Sequence, residues 1–122
     1  MTRSSESLGT AGEAFAARFL VERGWRILDR NIRSAGVEID LVTQRAGILA
    51  FVEVKTRRTR TAGLPEESVD ARKRARLVRG AAGWLHERRI RRVEVRFDVL
   101  VVEPGPEGWR CRHLPGAFDA GD

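Results

Sequence analysis

The sequence predicts an α/β domain with a mixed central β-sheet flanked by helices. Three observations carry that expectation: two segments with apolar residues at helical spacing, several short β-branched segments, and the order helix, three strands, helix, two strands. With 122 residues the chain has room for one core but not two, so a single domain over 1–122 is expected, its core spanning about 8–114.

Residues 1–7 read as a frayed, flexible leader. The stretch "ESLGTAGEAFAARFLVERG" then gathers Phe15, Ala16, Ala17, Phe19 and Leu20 on one helical face, with Gly24 as the stop. Glu13 stands three and four residues before Ala16 and Ala17, in phase with the inward stripe. "WRILDRNI" is a short strand. "VEIDLVT", the turn "QRAG" and "ILAFVEVKT" form a β-hairpin of two longer strands. The Arg-, Thr- and Gly-rich "RRTRTAGLP" reads as a loop that is mobile without a ligand. Helical periodicity returns from about Glu66 to Arg89 through Val69, Leu77, Ala81, Ala82, Trp84 and Leu85. "VEVRFDVLVVE" alternates as a strand, and "GWRCRHL" follows a Pro-Gly turn as an edge strand. Residues 115–122, "PGAFDAGD", carry little pattern and are expected to be flexible.

Hydrophobic content of 42% and charged content of 33% are those of a globular domain. No apolar run approaches a membrane span and the first residues lack a hydrophobic signal core, so the expectation is a cytoplasmic protein with no membrane partner. A lone Cys111 forms no internal disulfide and reads as a small buried hydrophobe. His86 and His113 stand apart, without the company a zinc site needs. The tryptophans, Trp25, Trp84 and Trp109, read as packing rather than base-stacking platforms. A net charge of +6 and a pI of 11.1 point towards a polyanion, of which a nucleic-acid backbone is the commonest, although a solvated basic face gives the same balance. Of 23 cationic side chains only Lys55 and Lys73 are lysines. Lysine is a compact charge whose pKa falls on burial, so it can orient or deprotonate water where arginine cannot.

Chemistry concentrates in the hairpin. Residues i and i+2 of a strand share a face, so Glu53 and Lys55 point one way while Val52 and Val54 face the other layer. On the preceding strand Glu38 and Asp40 share a face, with Ile39 and Leu41 opposite. A register that aligns these faces brings three carboxylates and one lysine together. Their mutual repulsion raises carboxyl pKa values, and burying unpaired charge costs several kcal/mol. A divalent cation removes the repulsion, and hard oxygen ligands suit Mg²⁺ or Mn²⁺. Any one of these pairs alone reads better as a salt bridge; the conjunction favours a cation site. Among the other cations, Arg57, Arg58 and Arg60 follow Lys55 directly and would lie beside a bound phosphate. Arg72, Arg76 and Arg79 form a helical stripe beside Lys73, either a solvated face or a nucleic-acid contact. Arg88, Arg89, Arg91 and Arg92 are expected to end the helix and stay wet. Asp98 interrupts an apolar strand and is expected to be paired with an arginine.

"GVEIDLV" followed by "ILAFVEVKTR" resembles the D…ExK motif of the PD-(D/E)xK nucleases, the restriction-endonuclease-like superfamily. With "GTAGEAFAARFLVERGWRILDRNIR", "PEESVDARKRARLVRGAAGWL" and "RFDVLVV", the ordered set resembles the YraN family, small bacterial proteins similar to archaeal Holliday-junction resolvases, over residues 8 to 103. The resemblance implies a three-layer α/β/α restriction-endonuclease-like fold and a metal-dependent endonuclease acting on DNA in preference to RNA, at branched or structured sites. It implies Asp40, Glu53 and the Val54 carbonyl as ligands of Mg²⁺ or Mn²⁺, Lys55 as the group that positions or activates water, and Glu13 as a further acidic active-site residue. Lys73 matches a cationic position of the family, and the resolvase likeness implies a homodimer. The chain departs from the family in carrying Val37, not Gly, directly before Glu38, and the role of Glu38 stays open between ligation and support of the ligands. Two other readings remain: a non-catalytic nucleic-acid-binding module that keeps the fold, and an interaction protein whose carboxylates form ordinary salt bridges.

Overall fold

The computed structural model describes residues 4–57 and 71–118, with side chains from Thr10 onward. The elements run α1 (Ser4–Glu22), β1 (Arg26–Ser34), β2 (Val37–Arg45), β3 (Ile48–Thr56), α2 (Ala71–Glu87), β4 (Glu94–Gly105) and β5 (Gly108–Phe118). The strands form one open sheet in the order β1-β2-β3-β4-β5. Only β3 and β4 are parallel. A parallel pair needs a long crossover, and α2 lies within it. The β1–β2 and β2–β3 turns both centre on Ala-Gly, Ala35-Gly36 at φ 50° and 75° and Ala46-Gly47 at φ 50° and 80°. Two left-handed residues in a two-residue loop match the right-handed twist of the strands they join.

Among the described residues one helix covers each face of the sheet, as the three-layer expectation requires. On one side Leu77, Ala81 and Trp84 of α2 pack on Val37, Ile39, Phe51, Phe97 and Val99. On the other, Ala16, Ala17 and Leu20 of α1 pack on Leu41, Ala50, Val52 and Leu100. Helix α2 sits close: a Cβ on Gly80 would come within 3.1 Å of the Val37 side chain, and Ser34 Oγ donates to the Gly80 carbonyl at 2.7 Å. Among the described residues, no helix is long and apolar enough to cross a membrane.

Several boundaries differ from the sequence expectation. Residues 4–7, expected to fray, belong to α1, and residues 115–118, expected to be flexible, complete β5. Phe118 accounts for the second difference: it stacks on Phe97 with centroids 5.0 Å apart and is buried. The anchor is a single aromatic after Pro115 and Gly116, too little to make a strand pattern. Arg88 is not simply wet, since it pairs with Asp29 at 2.6 Å and lies over the Trp84 ring, while Trp84 Nε1 donates to the same Asp29 oxygen. The expected loop over 57–65 and Val69 fall, apart from Arg57, outside the described residues.

Asp98 is buried at the sheet's β4–β5 junction, and its arginine partner is Arg96. Arg96 donates twice, at 2.8 and 2.9 Å; His113 Nε2 lies 2.7 Å from Oδ2; and the Gly116 amide donates at 3.0 Å. Burial alone would raise the carboxyl, but the hydrogen bonds from His113, Arg96 and Gly116 overturn it and hold the group below its ordinary value. Asp98 therefore stabilises the fold fully above the unfolded-state value, about pH 4. That contribution is lost as pH falls through the lower folded-state value. Asp98→Asn should lower stability at neutral pH by about 2–4 kcal/mol. In urea denaturation followed across pH, its difference from the parent should shrink towards zero in acid.

Candidate functional site

The alternation expected of β2 breaks at Asp40. Ile39 packs with the α2-side core but Leu41 packs with the α1-side core, so the two do not share a face as the sequence suggested. Asn31, left-handed at φ 50°, lies between the pairs Arg30–Leu41 and Ile32–Ile39 on the neighbouring strand and marks the same distortion. The β2–β3 ladder runs only from Arg45–Ile48 to Leu41–Val52, while β3 continues against β4 as far as Thr56. Beyond Leu41 the two strands part, and the Asp40 carboxylate substitutes for the missing backbone acceptor. The Val54 N–H donates to Asp40 Oδ2 at 2.8 Å. The N–H and C=O of one extended residue point to the same edge, so the Val54 carbonyl is directed towards this gap as well.

Glu53 and Lys55 follow Leu49 and Phe51 in alternation and so face the α2 layer. Lys55 Nζ lies 3.2 Å from Glu53 Oε1, and Lys73 Nζ, from the first turn of α2, lies 2.6 Å from the same oxygen. Both lysines of the chain meet on one carboxylate oxygen. Burial is the main influence that lowers the Lys55 ammonium, with the neighbouring Lys73 adding to it. Burial also pulls Lys73 down, but its hydrogen bonds to Glu53 and Lys55 carry it above the ordinary value.

A cleft of about 520 Å³ collects these groups. Its walls include Glu13, Glu38, Asp40, Glu53 and Val54, with Arg72, Lys73 and Arg76 from α2. Glu13 reaches it because α1 sits directly on the end of β3. Gly12 permits that approach, since a Cβ there would overlap the Thr56 hydroxyl and come within 2.9 Å of its methyl. Burial raises the Asp40 carboxyl to about 7; the charge of Glu53 adds to this, the Val54 amide opposes it, and Glu13 and Glu38 raise it further.

Most of the expected site residues come to this cleft. Asp40, Glu53, Val54, Glu13, Glu38, Arg72, Arg76 and Lys73 line it, and Lys55 adjoins it through Glu53. Arg57 leaves along β4, its amide donating to the Val102 carbonyl at 2.8 Å. Arg58 and Arg60 lie outside the described residues. The sequence reading placed Lys73 among nucleic-acid contacts and missed its bond to Glu53; its rarity as a lysine was the available signal. Among the described residues, no three His, Cys, Asp or Glu side chains form a ready cation cage. The donor set suits a hard ion that keeps much of its water and binds through one or two carboxylates, which would relieve the burial and like-charge repulsion that raise Asp40.

A family model described as "Uncharacterised protein family UPF0102" matches residues 12–102. A UPF0102 protein of Symbiobacterium thermophilum is 50% identical over 117 residues, covering 95% of this chain and 99% of its own. UPF0102 proteins of Syntrophotalea carbinolica and Trichlorobacter lovleyi are 45% and 43% identical, covering 98% and 96% of this chain and 97% and 94% of their own.

Asp40 sets a pH dependence opposite to that of Asp98. Its folded-state pKa lies above the unfolded value, so the folded state binds the proton more tightly and loses stability as pH rises from about 4 to 7. Asparagine keeps an acceptor for the Val54 amide and removes the charge. Asp40→Asn should raise stability at pH 8 by on the order of 1–2 kcal/mol and leave it unchanged below about pH 4. Thermal unfolding at the two pH values tests both halves. Mg²⁺ or Mn²⁺ should raise the melting temperature of the parent and not of the variant.

Proposed function

The chain belongs to the uncharacterised protein family UPF0102, the YraN family, and we propose that it is a metal-dependent endonuclease that hydrolyses phosphodiesters, with DNA preferred to RNA. The observation that carries this reading is Asp40: a buried acid at the point where β2 and β3 part, surrounded by other acids and bonded to one backbone amide. Burial and the neighbouring acids work against its charge, and a bound cation would reverse that.

Asp40, Glu53 and the Val54 carbonyl would hold Mg²⁺ or Mn²⁺, with Glu13 and Glu38 near enough to support it. When bound, the ion supplies positive charge at the phosphate and a bound water of lowered pKa. Lys55, its ammonium eased downward by burial and by Lys73, is placed to orient the attacking water, take up its proton or steady charge on the phosphate. As water oxygen joins phosphorus, one P–O bond breaks and its electron pair leaves with the sugar oxygen. Arg72, Lys73 and Arg76 on one wall, with Arg57 leaving Lys55, offer the charge to hold the flanking backbone. Branched or otherwise structured DNA, a homodimer and a cytoplasmic location complete the proposal.

The alternative is a nucleic-acid-binding module without catalysis. Its support is that two ammonium groups already satisfy Glu53. Cleavage of junction, flap, single-stranded and duplex DNA and RNA, with Mg²⁺ or Mn²⁺, separates the two readings. Asp40→Ala and Lys55→Ala should each reduce the rate on the order of 10²–10⁴-fold. Cleavage absent throughout, or surviving both substitutions, would leave the binding module.

A further inference from the structure

Beyond the cleft, the same sheet face carries a second buried acid with a different environment. Glu103, near the end of β4, is 2% exposed. It alternates with Val99 and Val101 of the α2-side core, so its side chain emerges on the face that carries Glu53 and Lys55. Two arginines of β5 hold it by four hydrogen bonds. Arg110 donates to Oε2 at 3.2 and 2.9 Å, and Arg112 donates to Oε2 at 3.1 Å and to Oε1 at 3.2 Å. One arginine neutralises one carboxylate, so the group carries a surplus positive charge. The arginine side chains remain 39% and 42% exposed. Each guanidinium uses two of its five N–H donors on Glu103, leaving three without a partner among the described residues.

Register ties this group to the cleft. Lys55 is paired with Val101, and Val101 with Arg112, so Lys55 and Arg112 occupy one row across β3, β4 and β5. Two strand spacings make that row about 10 Å long. At a rise of about 3.4 Å per nucleotide, this corresponds to roughly three nucleotides of one strand. Each guanidinium is fixed on one edge by the buried carboxylate, so little side-chain freedom is lost when the other edge meets a phosphate.

We infer that Arg110 and Arg112, oriented by buried Glu103, form a phosphate-binding clamp that grips the nucleic-acid backbone a few nucleotides from the bond at Lys55. The clamp lies beyond residues 12–102, the segment matched by the family model. The inference rests on the nucleic-acid reading of the cleft.

Its test is binding of fluorescent single-stranded and duplex DNA at several salt concentrations, without divalent cation. Arg110→Gln and Arg112→Gln should each weaken binding about 3- to 10-fold and lower the slope of log K against log salt by about 0.7–0.9. Each single variant leaves one arginine on Glu103. The triple variant Glu103→Gln/Arg110→Gln/Arg112→Gln removes the buried charge together with both partners, and should show the combined loss with the fold retained. Arg91→Gln, an exposed change elsewhere that also removes one charge, should leave the slope as in the parent. A parent that binds while the arginine variants match it in affinity and slope overturns the clamp alone. A parent that binds neither DNA overturns the clamp and the nucleic-acid reading together.

Discussion

The hydrogen bond from the Val54 amide to Asp40 is the constraint on which the site depends. A sheet normally satisfies an inward amide with the neighbouring strand's carbonyl, and leaving one unmet costs about 1–3 kcal/mol. Here a side chain takes over that duty, so β2 and β3 can part beyond Leu41 without orphaning the amide. The parting opens the sheet's interior to both helix layers at once. Glu13 enters from α1, and Arg72, Lys73 and Arg76 enter from α2. Without the gap, the sheet would keep those two sets of side chains on opposite faces.

A second constraint operates at Glu53. Two ammonium groups on one carboxylate oxygen repel each other, and the shared anion holds them against both that repulsion and their partial burial. One consequence is the opposite displacement of the two lysines, Lys55 downward and Lys73 upward. The ammonium of Lys55, on the strand next to Asp40, gives up its proton more readily, while Lys73 on the helix is the firmer cation beside Glu53. Arginine, with a guanidinium that stays protonated throughout, could not divide the work in this way.

Much of this was legible in the sequence because strand alternation and helical spacing are strong, local signals. They identified the hairpin, both helices and the shared face of Glu53 and Lys55. What escaped them was non-local. The break at Asp40 depends on Asn31 of the adjacent strand and on where the β2–β3 ladder stops. Lys73 meets Glu53 only after α2 folds back over the sheet. Residues 115–118 become strand because Phe97, far away in sequence, supplies a surface for Phe118. The lysine count was the one composition fact that could have signalled a tertiary contact, since both lysines meet on Glu53.

The contrast of Asp40 with Asp98 and Glu103 separates a site from an ordinary ion pair. Asp98 and Glu103 are nearly inaccessible to water, and burial acts to raise both. Each is nevertheless held below its ordinary value, Asp98 by His113 and Arg96 and Glu103 by Arg112 and Arg110. This is how the chain treats a structural acid, and with 21 arginines it has ample means. Asp40 is treated in the reverse way. Burial raises it, the charges of Glu53, Glu13 and Glu38 add to that, one backbone amide opposes them, and its carboxyl rises to about 7. A fold able to neutralise Asp98 and Glu103 with arginine forgoes that at Asp40, which sets this position apart from the salt-bridge reading of its carboxylates. The destabilisation is the kind a bound cation would reverse, and it is confined to the cleft where both lysines converge.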